Sequence, residues 1–190
     1  MAIPALDRHE FDAPGDVRAR PHGNCYWLLP GRLLAGEYPG AIVAANGAAR
    51  IDALLDAGVR RCIDLTHAHE GPAPYAPVLL ERAAARGVRV VHHRFAIPDL
   101  GVPSAALMRT TLDAVYEAMA LGETPYLHCW GGIGRTGTVV GCLLREQGFG
   151  AAAALDVIGR KWLAMEKRDR HPRSPETPEQ IAFIERWPGV

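Results

Sequence analysis

Pro125-Tyr126-Leu127-His128-Cys129-Trp130-Gly131-Gly132-Ile133-Gly134-Arg135-Thr136-Gly137 is the stretch from which the fold is read. Pro125 to His128 has the length and apolar content of a short strand, and Thr136 to Gln147 reads as a helix stopped by Gly148. A strand that passes through a glycine-rich turn into a helix is the first half of a parallel-sheet unit. Upstream the alternation repeats. Cys25 to Leu29 and Arg32 to Ala35 read as strands about the Pro30-Gly31 turn, Arg50 to Ala57 as a helix with Gly58 as its stop, and Val59 to Thr66 as a strand. Tyr75 to Arg86 is helical, Val88 to Phe95 extended, and Ser104 caps a long helix that runs to Leu121. Downstream, helices are expected over Ala151 to Met165 and from about Thr177 to Trp187, with a polar loop from Glu166 to Glu176 between them. The prediction is one α/β domain with a central, mostly parallel sheet flanked by helices.

Residues 1–22, rich in Pro, Asp and Arg without apolar period, read as an irregular leader before a single domain at 23–190. The 190 residues carry 21 Lys+Arg and 21 Asp+Glu, so the formal net charge is zero. Nucleic acid and anionic membrane both select a surplus of positive charge, and neither is an expected partner. Four Cys without a C-x-x-C pair make neither a disulfide framework nor a cysteine zinc site. No apolar run is long enough to span a bilayer and Pro4, Asp7, Glu10 and Asp12 do not suit a signal peptide, so the expected location is a reducing cytoplasm.

A Cys six positions before an Arg is weak evidence in itself. With Arg at 19 of the 21 basic positions, chance supplies such a pair in roughly a third of comparable chains. The context carries the signal. Gly131, Gly132 and Gly134 let the backbone N–H groups of Trp130 to Gly134 turn inward as an anion nest. A helix opening near Arg135 points its positive end at the same place, and the guanidinium can grip two oxygens of one phosphate. The same surroundings favour a thiolate at Cys129, which makes it a nucleophile. His128 is placed to orient the loop and to assist the thiolate, and Thr136 to offer a hydroxyl to the sulfur when it leaves. A buried Cys beside a structural glycine turn is the competing reading.

His128-Cys129-x-x-Gly-x-Gly134-Arg135-Thr136-Gly137 resembles the signature loop of the cysteine-dependent protein tyrosine phosphatase superfamily, and the short chain is similar to its atypical dual-specificity members. The resemblance implies in-line attack of Cys129 on a phosphate monoester, a phosphocysteine intermediate, and hydrolysis by water with no metal and no cofactor. Such chemistry needs a proton donor. Ile97-Pro98-Asp99-Leu100-Gly101-Val102-Pro103-Ser104 alone is a Pro/Gly loop with an exposed acid. It is also similar to the Trp-Pro-Asp loop of these enzymes, with Ile97 in place of the Trp, and the resemblance makes Asp99 the general acid. Thr177 and Gln180 form a capping-box pattern with Pro178 at the first helical position. That run also resembles the segment in which a glutamine places water, a role that would fall to Gln180. With the strand Cys62 to Thr66, the resemblance spreads over roughly residues 25 to 187.

None of the five residues between Cys129 and Arg135 is basic, which disfavours highly phosphorylated inositols. The expected substrates are phosphotyrosine and phosphoserine/threonine proteins or small phosphoesters. Trp130 is expected in the core; the run Lys161, Lys167, Arg168, Arg170 and Arg173 leads toward the Gln180 segment, where it could attract an anionic substrate, but a solvated, mixed-charge loop is the favoured reading. The rival readings are a Cys-loop enzyme of sulfur or arsenate chemistry, a catalytically silent phosphate-binding module, and a metal hydrolase using His67/His69 or His92/His93. On a strand His92 and His93 point to opposite faces, which does not suit one metal ion.

Overall fold

The computed structural model describes residues 4–40, 44–70 and 74–189. Five strands, β1 (Cys25–Leu29), β2 (Leu33–Gly36), β3 (Val59–Asp64), β4 (Val91–Arg94) and β5 (Thr124–His128), form one sheet in the order β1-β2-β5-β3-β4. Only the β1/β2 hairpin is antiparallel, and β2/β5, β5/β3 and β3/β4 are parallel. β5, the strand that feeds the glycine loop, lies in the middle. Its burial on both faces is the reason it reads as a short run without alternation.

The strands' side chains alternate between two cores. Tyr26, Leu28, Ala35, Ile63 and Leu127 face the larger one, covered by α3 (Ala105–Ala120), α4 (Gly134–Glu146), α5 (Ala151–Trp162) and α6 (Pro178–Arg186). Cys25, Trp27, Leu34, Cys62 and Tyr126 face the other, beneath α1 (Ala44–Asp56) and α2 (Ala76–Ala85). α1 begins six residues before the expected start at Arg50, because the alanines ahead of it propagate a helix without any apolar period to betray it. β4 is shorter than expected, since pairing with β3 begins only at Val91. Ser104 caps α3 through Leu107 N–H, and Gly148 follows α4 with φ +80°, the left-handed turn that an L side chain resists. Among the described residues no helix is long and apolar enough to cross a membrane.

The segment before Cys25 is irregular apart from a 3-10 turn at Arg8–Asp12, and it packs against the domain. Phe11 is fully buried edge-on to Phe149. Trp27 N–H donates to Gly15 O (2.8 Å) and Trp27 Nε1 to Ala19 O (3.1 Å). Arg20 Nη1 serves three carbonyls, those of Gly23, Cys25 and Ala164. Lys161 was expected on a solvated loop. It is instead 1% exposed, and its Nζ donates to Ala13 O (2.5 Å).

Candidate active site

The loop from His128 to Arg135 leaves the carboxyl end of β5 and enters α4 at Gly134. No side chain caps α4, so its first N–H groups are left for a ligand. Gly132 has φ +70°, and a Cβ there would collide with the backbone of Gly36 and Glu37. The loop is pressed against the end of β2 so closely that only glycine fits. Gly137, one turn into α4, lies against the Ser174 hydroxyl, with the Pro175 backbone just beyond it.

The loop forms one wall of a cleft of about 330 Å³, with Cys129, Arg135, Asp99, Lys167, His171 and Glu176 among its lining residues. Cys129 and Arg135 are each 2% exposed. Arg135 Nη2 pairs with Asp99 Oδ1 at 2.8 Å across the cleft, and Nη1 donates to Glu70 Oε1 and Oε2 (2.9 and 2.7 Å) and to Ile97 O (3.2 Å). Burial opposes the guanidinium charge, yet Cys129, Glu70 and Asp99 outweigh it and hold its pKa above the ordinary arginine value. The acid loop is therefore tied to the phosphate loop through Arg135. Leu100, next to Asp99, holds a positive φ of 58° in the turn closed by Gly101 N–H to Pro98 O.

His128 lies wholly in the interior. Burial pushes its pKa down to about 4, only partly offset by the Asp64 charge, so the ring is neutral. Tyr75 Oη, whose own pKa is driven well up by burial, donates to His128 Nε2 (2.7 Å). Nδ1–H is then left to donate to Cys129 O (3.3 Å). A neutral ring cannot lend charge to the sulfur, so the assistance expected of His128 is reduced to orienting the Cys129 peptide. Thr136 Oγ1 is buried and, among the described residues, has no hydrogen-bond partner.

Trp130 was expected in the core. It is 42% exposed at the mouth of the cleft, and Tyr38 takes the buried place beneath it with ring centroids 5.3 Å apart. Gln180 is fully buried. Its Oε1 accepts from Glu176 N–H and Thr177 N–H (3.1 Å each) and its Nε2 donates to Gly101 O (3.1 Å), completing the capping box and binding α6 to the acid loop. A Cβ on Gly134 would stand 2.7 Å from that amide, so Gln180 also touches the start of α4. His92 bonds to Asp64 while His93 lies edge-on to Phe95, on opposite sides of β4 as strand geometry requires.

Glu70 and Tyr75 were not foreseen at the site, and of the basic run it is Lys167 that lines the cleft. Glu70 follows β3 in a loop at the carboxyl edge of the sheet, where ligand-binding residues of parallel sheets gather, and that topological rule was the available signal. Tyr75 carried no local signal.

A cysteine at the start of a strand-to-helix anion loop, an arginine at its end and an aspartate across the cleft define a phosphatase of the tyrosine and dual-specificity type. The chain belongs to the family described as PTP-SAK, Swiss Army Knife protein, DSP-PTPase phosphatase domain, which matches residues 22–184. Among solved structures it is similar to Tk-PTP in the active form, at 25% identity over 81% of this chain and 89% of that one, with a TM-score of 0.58. Kinase associated phosphatase (KAP) shares the fold at 22% identity over 80% and 83% of the two chains, TM-score 0.64. So does P. aeruginosa TpbA in complex with pTyr, at 17% identity over 89% and 87%, TM-score 0.57.

Proposed function

We propose that this chain hydrolyses phosphate monoesters through a phosphocysteine intermediate, without metal or cofactor. The observation that carries the reading is the convergence of Cys129, Arg135 and Asp99 on one cleft, with Asp99 Oδ1 2.8 Å from Arg135 Nη2. The Cys129 thiolate attacks phosphorus as the bond to the leaving oxygen breaks, and protonated Asp99 gives its proton to that oxygen. The N–H groups of Trp130 to Gly134 and the Arg135 guanidinium receive the charge of the phosphoryl oxygens. Water then attacks phosphorus while Asp99, now a carboxylate, takes its proton, and the S–P bond breaks to release phosphate and the thiolate. The unpartnered Thr136 hydroxyl is available to that departing sulfur, and the second N–H of Gln180 Nε2 is available to the water.

The substrates proposed are phosphotyrosine and phosphoserine/threonine proteins or small phosphoesters. Three carboxylates, Glu70, Asp99 and Glu176, stand at the cleft or on its arginine, which favours an ester with a single phosphate over a polyphosphate. The four cysteines are free thiols, in keeping with a reducing cytoplasm. They also argue against arsenate or sulfur relay chemistry. Burial pushes Cys25 and Cys62 up to about 12 and Cys142 higher still, and none of the three lines the cleft. The test is hydrolysis of p-nitrophenyl phosphate. It is expected to resist EDTA, to be blocked by vanadate and to vanish in Cys129→Ser. Turnover that survives Cys129→Ser refutes the reading.

A further inference from the structure

We propose that Lys167 is a positioning residue of the phosphate loop, whose ammonium holds the Gly131 carbonyl and thereby sets the Gly131–Gly132 peptide for anion binding. The proposal rests on the reading of residues 129–135 as a phosphate loop. In a trans peptide the C=O and the following N–H point in opposite directions. A loop that offers its N–H groups to an anion must therefore send its carbonyls elsewhere, and each carbonyl needs a donor there. Among the described residues, four of the five carbonyls from Cys129 to Ile133 have such a donor. Cys129 O accepts from His128 Nδ1 (3.3 Å), Trp130 O from Tyr38 N–H (3.0 Å), Gly131 O from Lys167 Nζ (2.9 Å), and Ile133 O from Ser174 Oγ (2.8 Å).

Of these, the Gly131 carbonyl most needs a strong partner. The peptide it belongs to joins two glycines, so no Cβ on either side resists its turning over. Turned over, it would present a carbonyl oxygen to the phosphate in place of the Gly132 N–H. Lys167 is the one charged donor in the set, and it is itself fixed. Its Nζ lies 2.5 Å from Glu37 Oε2, and its backbone N–H donates to Asn24 Oδ1 (3.2 Å). Glu37 is held in turn by Arg50 (2.9 Å) and by Asn24 Nδ2 (3.3 Å). The Lys167 and Glu37 side chains are only 11% and 13% exposed. Two cations, Lys167 and Arg50, share the Glu37 carboxylate, so the group keeps one positive charge, and what Lys167 adds beyond that field is a fixed donor to the Gly131 carbonyl. A role in gripping a second anionic group on the substrate is the rival interpretation.

The experiment compares Lys167→Met, Lys167→Gln and Lys167→Arg with the wild type. It reads kcat/KM on p-nitrophenyl phosphate, an alkyl monophosphate and a bisphosphate, and tungstate affinity by calorimetry. A misplaced oxyanion donor costs between about 10- and 100-fold. Lys167→Met is expected to lose that much on all three substrates alike and to bind tungstate more weakly. Lys167→Arg, which can still donate to the carbonyl, is expected to recover most of the loss. Lys167→Gln, neutral but able to donate, should fall between them, and it carries the comparison if the Met variant does not fold. Unchanged tungstate affinity in both neutral variants overturns the proposal. A loss confined to the bisphosphate also overturns it and makes Lys167 a substrate contact. Tungstate binding that depends on Lys167 in a wild type devoid of turnover upholds the proposal and refutes the hydrolase reading alone.

Discussion

Replacing Asp99 with Asn should move turnover and oxyanion affinity in opposite directions. The Asp99 side chain is 66% exposed, and its carboxylate pairs with Arg135 Nη2 at 2.8 Å. Phosphate needs the same guanidinium, so binding must compete with that ion pair. Arg135 is buried while Asp99 is largely exposed, so the pair is worth at least the about 0.2–1 kcal/mol of a surface pair, and its loss should tighten vanadate or tungstate binding by at least about 1.4- to 5-fold. The same substitution removes the proposed proton donor, and general acid catalysis contributes about 10²–10⁴-fold. The loss should be smallest for p-nitrophenyl phosphate, whose leaving phenolate needs least help, and largest for an alkyl phosphate. Steady-state phosphate release on a series of leaving groups, with tungstate as competitive inhibitor, reads both quantities. Equal turnover on alkyl esters would remove Asp99 from proton transfer. Weaker tungstate binding in Asp99→Asn would refute the competition for Arg135.

Glu70→Gln keeps the shape of the Arg135 support and removes its charge; kcat/KM should fall by about 10- to 100-fold as the guanidinium loses its fixed plane, and unaltered kcat/KM would reduce Glu70 to a surface contact. His128 is neutral in the folded chain, whereas in the unfolded chain it gains its proton near pH 6.5. Its contribution to stability is therefore complete above about pH 6.5 and is lost as pH falls toward 4, a change of roughly 3 kcal/mol, with His22 acting in the same sense. Urea unfolding between pH 7 and 4.5 should show the decline, and His128→Asn should show less of it; an equal decline in both would be inconsistent with the buried neutral ring. Asp64, whose carboxyl is held low chiefly by His92 against the penalty of burial, weakens the fold only below its ordinary range and stays out of that window. Gly132→Ala must place a side chain at φ +70° against the backbone of Gly36 and Glu37, and it should lower stability by more than about 1 kcal/mol and reduce phosphate release along with it. An unchanged thermal midpoint would show that the loop can move away from β2.

The parts of the site that could be read from the sequence are those made by neighbours in the chain. His128 to Gly137 is one continuous strand-loop-helix turn, and its glycines mark where backbone must approach backbone. Asp99 stood out because Ile97 to Ser104 resembles a Trp-Pro-Asp loop, whereas its own Pro/Gly surroundings announce only a tight turn with an exposed acid. What stayed hidden is what folding brings from afar. Glu70 lies 65 positions from Arg135 and Lys167 lies 36 from Gly131, and each looks like an ordinary surface charge in its own segment. Trp130 was misread for the complementary reason. Its neighbours are apolar, but the loop turns outward there and Tyr38, from the end of β2, fills the space below. Gln180 was recognised as half of a capping box, and its grip on Gly101 required the tertiary fold.

The arginine at the centre of the cleft is already matched by two carboxylates before any ligand arrives, and the chain as a whole carries no net charge. Little field then extends beyond a Debye length of about 10 Å at 0.1 M salt to draw an anion in from solution. Substrate encounter should consequently be slow by the standard of steered enzymes and nearly indifferent to ionic strength. In the proposed mechanism, selection is left to the moment of contact, when the phosphate displaces Asp99 from Arg135. An ester that cannot do so leaves again without having committed the thiolate.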